Sequence, residues 1–147
     1  MTASLPIVLL VDPAMRDRLK MMALLSGVAR VRTPEPSEDP VRLVRHQRFD
    51  MVLVALPRLG ARRGLSLCRT LKTDGARTPP VGLLDPWRRL QAVPEALRES
   101  LGNGYLGGRY DRVVAEGFLA DLLAGRAPIH TFEPAPRTIW GRLRGGF

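Results

Sequence analysis

Cysteine, lysine and long apolar runs are scarce in this sequence. Its 147 residues include a single cysteine, Cys68, so the chain can form neither an internal disulfide nor a metal site built from several thiolates. No apolar run approaches the roughly 20 residues that span a bilayer. The first residues, MTASLP, lack the basic and apolar segments of a secretory signal. We therefore expect a soluble, cytoplasmic protein that does not bind membranes.

The basic residues are almost all arginine. Lys20 and Lys72 are the two lysines among 23 basic residues, which outnumber 14 acidic ones and give a formal net charge of +9. A charge of this sign suggests an acidic partner such as nucleic acid. However, the arginines are scattered, which is typical of a solvated surface, and a GC-rich genome would produce the same bias. Nucleic-acid binding is therefore an alternative interpretation.

Five short apolar runs alternate with five helical patterns. Residues 51–56, MVLVAL, are apolar without polar alternation, which is typical of a strand covered on both faces, and Pro57 ends the run. The other predicted strands are residues 6–11, 28–31, 80–84 and 105–106. The predicted helices run from a cap at Asp12 to a stop near Gly27, then from Val41 to about His46, and over residues 64–71, 95–101 and 111–123.

This alternation predicts a single α/β domain over residues 1–124. Units of about 20 to 25 residues with buried strands imply right-handed crossovers and a parallel sheet with helices on both faces. Residues 125–136 carry three prolines and no helical period, so we expect an extended or flexible linker there. The basic, aromatic tail that follows contains Trp140, which either folds back on the domain or docks on a partner.

Four segments occur in a characteristic order and spacing: PIVLLVD, FDMVLVALPRLGARRGLSLCRTLK, RTPPVGLL and LGNGYLGGRYD. This arrangement resembles the receiver domains of bacterial two-component response regulators. The resemblance implies a flavodoxin-like (CheY-like) fold, in which five parallel strands have the order 2-1-3-4-5 and helices cover both faces. It also implies a site for aspartyl phosphorylation, assisted by Mg²⁺, at the carboxyl ends of the strands.

The resemblance implies that the chemical groups of that site are replaced. The acidic pair of the family falls on Asp12 and Pro13, the phosphoacceptor aspartate on Ala55, the hydroxyl residue on Leu84 and the lysine on Gly108. Phosphoryl transfer needs a nucleophilic carboxylate, a cation site and groups that take up the oxygen charge. We therefore expect a degenerate receiver, or pseudo-receiver, that is not an enzyme and binds no metal or cofactor.

One signalling feature of the family survives in the sequence. Tyr105 falls on its switch aromatic, Tyr110 takes a usual phenylalanine position, and Arg109 takes the place of a proline. The family binds partners through the face formed by the fourth helix, fifth strand and fifth helix. Our leading hypothesis is phosphorylation-independent binding of a protein, or of a second copy of the chain, through Tyr105, Arg109 and Tyr110, with help from Trp140.

Two other functions stay open at this point. A nucleic-acid-binding module would use the arginine-rich loop with Arg58, Arg62 and Arg63 together with the tail arginines, although the sequence has no helix-turn-helix, zinc or RNP-like pattern. A small molecule could instead occupy the crevice beside Ala55, because open parallel sheets bind ligands at the carboxyl ends of their strands.

Overall fold

Strands and helices alternate throughout the part of the chain that the structure, a computed structural model, describes: residues 4–74, 78–108 and 110–131. The strands are β1 Ile7–Val11, β2 Arg30–Arg32, β3 Met51–Ala55, β4 Val81–Asp85, β5 Gly104–Gly107 and β6 Ile129–Thr131. The helices are α1 Met15–Leu24, α2 Pro40–His46, α3 Ala61–Thr73, α4 Val93–Ser100 and α5 Arg112–Leu123. None of these helices is long and apolar enough to cross a membrane.

The strands form one parallel sheet with the order β2-β1-β3-β4-β5-β6. The first five strands have the predicted flavodoxin-like order, so the predicted fold is confirmed. The central strand β3 is buried along its whole length, as its unbroken apolar sequence requires. The sixth strand is an addition to the predicted fold.

The added strand β6 corrects the linker prediction for residues 129–131. These residues lie beside β5 in parallel register, with Tyr105 opposite Ile129, and the Tyr105 N–H donates to the Pro128 carbonyl at 2.9 Å. A three-residue strand beside a proline is too short to show a period in the sequence. It forms because the unpaired backbone groups at the edge of β5 need partners. The tail from residue 132 onward, including Trp140, lies outside the described residues.

Three helix starts differ from the predicted ones by two residues or more. Asp12 does not cap a helix that begins at Pro13, because α1 starts at Met15 and the Asp12 side chain closes the turn before it. Helix α3 starts at Ala61, earlier than predicted, since the arginines that suggested a loop also have good helix propensity. Helix α4 starts at Val93 and places Pro94 in its first turn. Proline is tolerated there because backbone N–H groups in the first turn have no partner within the helix.

The core has one apolar layer on each face of the sheet. Alternate residues of β3 point to opposite faces, so Leu53 packs in the layer with α1 and α5 while Val52 packs in the layer with α2, α3 and α4. Cys68 of α3 is fully buried in the second layer. Burial raises the pKa of its thiol to about 11, so the thiol stays protonated and unreactive at neutral pH.

Candidate functional site at the carboxyl end of the sheet

The carboxyl ends of four neighbouring strands bring the predicted site positions together. Ala55 at the end of β3 lies opposite Leu84 of β4, and Asp85 lies opposite Gly107 of β5. Asp12 directly follows β1, the strand on the other side of β3. The residues that the resemblance assigns to a phosphorylation site therefore lie together at the carboxyl end of the sheet.

The side chains at this edge are mostly apolar and covered. Ala55 and Leu84 are 4% and 2% exposed, so they offer almost no surface to a ligand in the crevice. Gly108 is buried and has a positive φ of 84°, a backbone conformation that side-chain-bearing residues rarely adopt. Pro13 is exposed and lies in the turn before α1.

The Asp12 carboxylate lies at the carboxyl end of the sheet, where it stabilises the turn before α1. The Ala14 N–H donates to Asp12 Oδ1 at 2.9 Å, and the Arg18 guanidinium donates to the Asp12 carbonyl at 3.1 Å. Burial raises the pKa of Asp12, and the hydrogen bond from Ala14 offsets part of that effect. Among the described residues, no group of three or more histidine, cysteine or acidic side chains is placed to hold a metal ion.

Asp85 is the buried carboxylate of this edge, with no exposed surface. Its oxygens accept three hydrogen bonds: from the Tyr105 hydroxyl at 2.7 Å, the Arg89 N–H at 2.8 Å and the Leu90 N–H at 3.0 Å. Asp85 ends β4 and caps the loop between β4 and α4. Nothing local in the sequence indicates the contact with Tyr105.

The side chain of Tyr105, a predicted partner contact, is 1% exposed and so offers almost no surface to a partner in this structure. Its ring lies against Gly107, two residues along β5, and a Cβ atom at Gly107 would overlap the ring. Residues two apart in a strand point to the same face, so the missing side chain leaves room for the ring to lean towards Asp85. Burial raises the pKa of the Tyr105 hydroxyl, and the hydrogen bond to Asp85 raises it further.

The other residues of the predicted partner face are Tyr110, Arg109 and Trp140. Tyr110 is partly buried against the α1 and α5 layer, with its hydroxyl 4.0 Å from the Met21 sulfur. Burial raises the pKa of Tyr110, and the nearby carboxylates of Asp12 and Asp17 add to that effect. Strand β6 occupies the edge of β5 that this face would present. Arg109, like Trp140, lies outside the described residues.

Trp87 connects three elements above this crevice. It lies in the loop between β4 and α4 and is 50% exposed. Its Nε1–H is 3.4 Å from Asp17 Oδ2 of α1. The guanidinium carbon of Arg58, in the loop between β3 and α3, is 5.4 Å from the centre of the Trp87 ring, within range of a cation–π interaction. Sequence reasoning missed Trp87, because its contacts come from elements that are distant in the chain.

Five exposed arginines lie on the segments that follow β3 and β4, and we call this set the basic rim: Arg58 in the β3–α3 loop, Arg62 and Arg63 in the first turn of α3, and Arg88 and Arg89 in the β4–α4 loop. Within the described ranges none of them forms an ion pair. The arginines that do are Arg32, Arg45, Arg98 and Arg126. Beside the rim, Leu59 is 81% exposed. The carboxyl end of the sheet therefore buries apolar side chains together with Asp12 and Asp85, and exposed basic and apolar residues follow it on the loops and the start of α3.

Comparison with known proteins gives matches among solved structures alone. No protein-family model matches the chain, and no curated protein matches its sequence. The response regulator DrrB of Thermotoga maritima, an OmpR/PhoB homologue, is 19% identical with a TM-score of 0.62, over 82% of this chain and 54% of that one. This chain therefore spans about half the length of DrrB.

Two further structures are matched over nearly their whole length. The receiver domain of a sensor histidine kinase from Pseudomonas aeruginosa, with a magnesium ion in its active-site cleft, is 22% identical with a TM-score of 0.63, over 82% of this chain and 99% of that one. A putative response regulator from Chloroflexus aurantiacus is 18% identical with a TM-score of 0.68, over the same shares. The chain therefore has the fold of the receiver domains of response regulators.

Proposed function

We propose that this chain is a pseudo-receiver: a signalling domain that binds a protein partner and carries out no phosphoryl transfer. The observation that carries the proposal is the set of groups at the carboxyl end of the sheet. Ala55, Leu84 and Gly108 stand where the resemblance implies an aspartate, a hydroxyl and a lysine. A methyl group cannot attack phosphorus, and neither a leucine nor a glycine side chain can stabilise charge on phosphoryl oxygens.

The two carboxylates at this edge are poor substitutes for the missing groups. Asp12 is 7% exposed and has a raised pKa, so it disfavours the charged form that a cation needs. Asp85 has no exposed surface and already accepts three hydrogen bonds, so its oxygens are not accessible to a phosphoryl donor. Mg²⁺ prefers octahedral oxygen ligation, which one buried carboxylate does not supply.

A direct test is phosphorylation of the full chain by acetyl phosphate with Mg²⁺, followed by intact mass spectrometry. We expect no phosphoryl adduct, under conditions in which a receiver domain with an intact site is modified. A stoichiometric adduct that maps to Asp12 or Asp85 would contradict the proposal. Calorimetric titration with Mg²⁺ alone is the matched binding test, and we expect no saturable heat.

Nucleic-acid binding is the second candidate, and the unpaired arginines of the basic rim favour it. This function predicts a steep fall in affinity with salt, because each neutralised phosphate releases counterions. A pull-down with the full chain from lysate, with and without nuclease, distinguishes the two functions. Proteins that stay bound after nuclease treatment fit the pseudo-receiver, whereas loss of all bound material fits the alternative.

A further inference from the structure

We propose that Trp87, Leu59 and the basic rim form the docking site for an acidic segment of the partner protein, with an apolar residue of that segment on Trp87 and Leu59. This inference rests on the proposed protein-binding function and specifies its surface and the chemistry of its partner. It places the contact at the carboxyl end of the sheet, away from the face around Tyr105 that the sequence predicted.

The first argument is the exposure and order of the apolar residues. Leu59 is 81% exposed and Trp87 is 50% exposed, on neighbouring loops that Arg58 connects by its contact with the Trp87 ring. The hydrogen bond to Asp17 also restrains the indole. A restrained aromatic side chain loses little conformational entropy on binding, and tryptophan and arginine are the residues most enriched in binding hot spots.

The second argument is the charge of the two loops. Residues 56–63 and 86–92 contain all five arginines of the basic rim and no acidic residue. Arg62 and Arg63 lie in the first turn of α3, where the helix dipole adds positive potential. The Asp85 carboxylate, just before the second loop, is fully buried. Asp17 is the carboxylate beside the indole, and it is outnumbered by the five arginines, which form no ion pair within the described ranges. A surface with this balance of charge attracts an acidic segment and would repel a basic one.

The same charges disfavour two other occupants. Residues 132–147 contain Arg137, Arg142 and Arg144 against one acidic residue, Glu133, so this basic tail is a poor ligand for the rim. In a symmetric dimer through this surface, a second copy would bring its own basic rim against the first. Like charges placed opposite each other reduce affinity, so an acidic segment of another protein is the better fit.

A nucleic acid is also a weaker fit to this surface. Proteins that bind single strands stack successive bases on several aromatic side chains. Trp87 is the one aromatic residue among the exposed large apolar side chains of the described ranges, and Arg58 already lies over its ring. An exposed leucine contributes to a protein interface but has no counterpart in phosphate recognition.

The test is an NMR titration of the isotope-labelled full chain with the synthetic peptide Glu-Glu-Asp-Phe-Glu-Glu-Asp. We expect saturable shifts of the Trp87 indole signal and of amides in residues 56–63 and 86–92. Arg62→Glu should weaken binding about fivefold, since one surface charge contact is worth roughly 1 kcal/mol. Arg48→Glu is the matched control, because this exposed arginine precedes β3 and so lies at the amino end of the sheet. The affinity of this variant for the peptide should stay within about twofold of the native value.

Three results would overturn this placement. One is an equal loss of affinity in Arg62→Glu and Arg48→Glu, which would indicate a non-specific charge effect. Another is a set of shifts centred on β5 and β6, which would return the contact to the originally predicted face. A third is binding of a single-stranded oligonucleotide with no binding of the peptide. None of these results depends on the acetyl phosphate experiment, so the docking site and the absence of phosphoryl chemistry can fail separately.

Discussion

Tyr105 is buried because of the residues at two other positions. Gly107 leaves room for the ring, and Asp85 accepts a hydrogen bond from its hydroxyl. An aromatic ring packed over a glycine of its own strand replaces the packing that the glycine lacks. The glycine pair after Leu106 suggested only a loop in the sequence. The contact with Asp85 joins residues twenty apart in the chain, so local patterns could not reveal the direction of the ring.

Substitution Gly107→Ala should move the Tyr105 ring out of its site. The added methyl group would overlap the ring, and relieving this overlap should lower the free energy of unfolding by about 1–3 kcal/mol. The readout is nitration of tyrosine by tetranitromethane with peptide mapping: Tyr105 should resist the reagent in the native chain and react in the variant.

Gly117→Ala is the matched control for that substitution. Nothing lies within 4 Å of a Cβ atom placed at Gly117 in α5, so the same chemical change meets no obstacle. This control should raise stability by up to about 1 kcal/mol, because alanine is the better helix former. Equal nitration of Tyr105 in the native chain and in Gly107→Ala would mean that Gly107 does not determine its burial.

Asp12→Asn should stabilise the chain at neutral pH. Burial raises the pKa of Asp12 above its ordinary value of 3.8, so the folded state binds the proton more tightly than the unfolded state does. The free energy of unfolding therefore falls as pH rises from 3.8 through the folded pKa, and the cost is larger at pH 7 than at pH 3.8. Asparagine removes this cost and keeps an oxygen for the Ala14 N–H.

The measurement for Asp12→Asn is urea unfolding of both chains across the acidic to neutral range. The advantage of the variant should be largest at pH 7 and shrink as pH falls towards 3.8. A variant that is less stable by the same amount at every pH would instead show that the carboxylate stabilises the turn in its charged form.

At the scale of whole elements, buried strands were the most predictable feature. The strands β1, β3 and β4 are continuous apolar runs, and their parallel arrangement follows from the alternation with helices. Helix starts were less predictable, as Asp12 shows, because an aspartate before a proline can close a turn as well as cap a helix. Strand β6 could not be predicted, since its reason to form is the open edge of β5 and not its own composition.

Removing β6 should destabilise the sheet and expose the edge of β5. A chain that ends at residue 124 would leave the N–H of Tyr105 without its partner at Pro128. We expect a loss of about 1–3 kcal/mol in urea unfolding, typical of losing paired backbone groups, and concentration-dependent association in sedimentation. A chain that ends at residue 131 keeps β6 and is the control against which this loss is measured. Equal stability of both shortened chains would mean that β6 contributes nothing to the sheet.

Helix α3 carries its charges against its own dipole. Arg62 and Arg63 lie in its first turn, which has no acidic residue, and Gly60 at the N-cap supplies no side-chain hydrogen bond. Arg62→Glu should therefore raise the free energy of unfolding by about 0.3–1 kcal/mol. The same substitution should weaken binding of the acidic peptide, so the free energy of unfolding should rise while the affinity for the peptide falls. A variant that loses both would indicate that Arg62 supports the local structure.

At the scale of the molecule, the fold and the net charge depend on different residues. The sheet order follows from the hydrophobic pattern and the resemblance, whereas the charge of +9 has no part in the core. The sequence indicated a cluster of Arg58, Arg62 and Arg63. It could not reveal that the loop with Trp87, Arg88 and Arg89, about thirty residues further on, lies next to that cluster.

Salt should stabilise the whole chain at moderate concentration. A net charge of +9 repels itself in the compact state, and salt screens this repulsion over a Debye length of about 10 Å at 0.1 M. We expect the melting temperature in calorimetry to rise when sodium chloride is added to a low-salt buffer. The double variant Arg62→Gln, Arg63→Gln should show a smaller rise. A melting temperature that falls with salt in the native chain would mean that attractive ion pairs dominate.

The positive φ of Gly108 has an evolutionary consequence. A lysine there would have to adopt a left-handed conformation at a cost of roughly 1–2 kcal/mol. An aspartate at Ala55 would enter a site that is 4% exposed, and an unpaired charge is costly in such a site. Each of these two mutations towards a phosphate-accepting site therefore lowers stability before it adds any chemistry. Natural selection should remove both of them, so chains descended from this sequence should keep Gly108 and Ala55 while their exposed loops diversify.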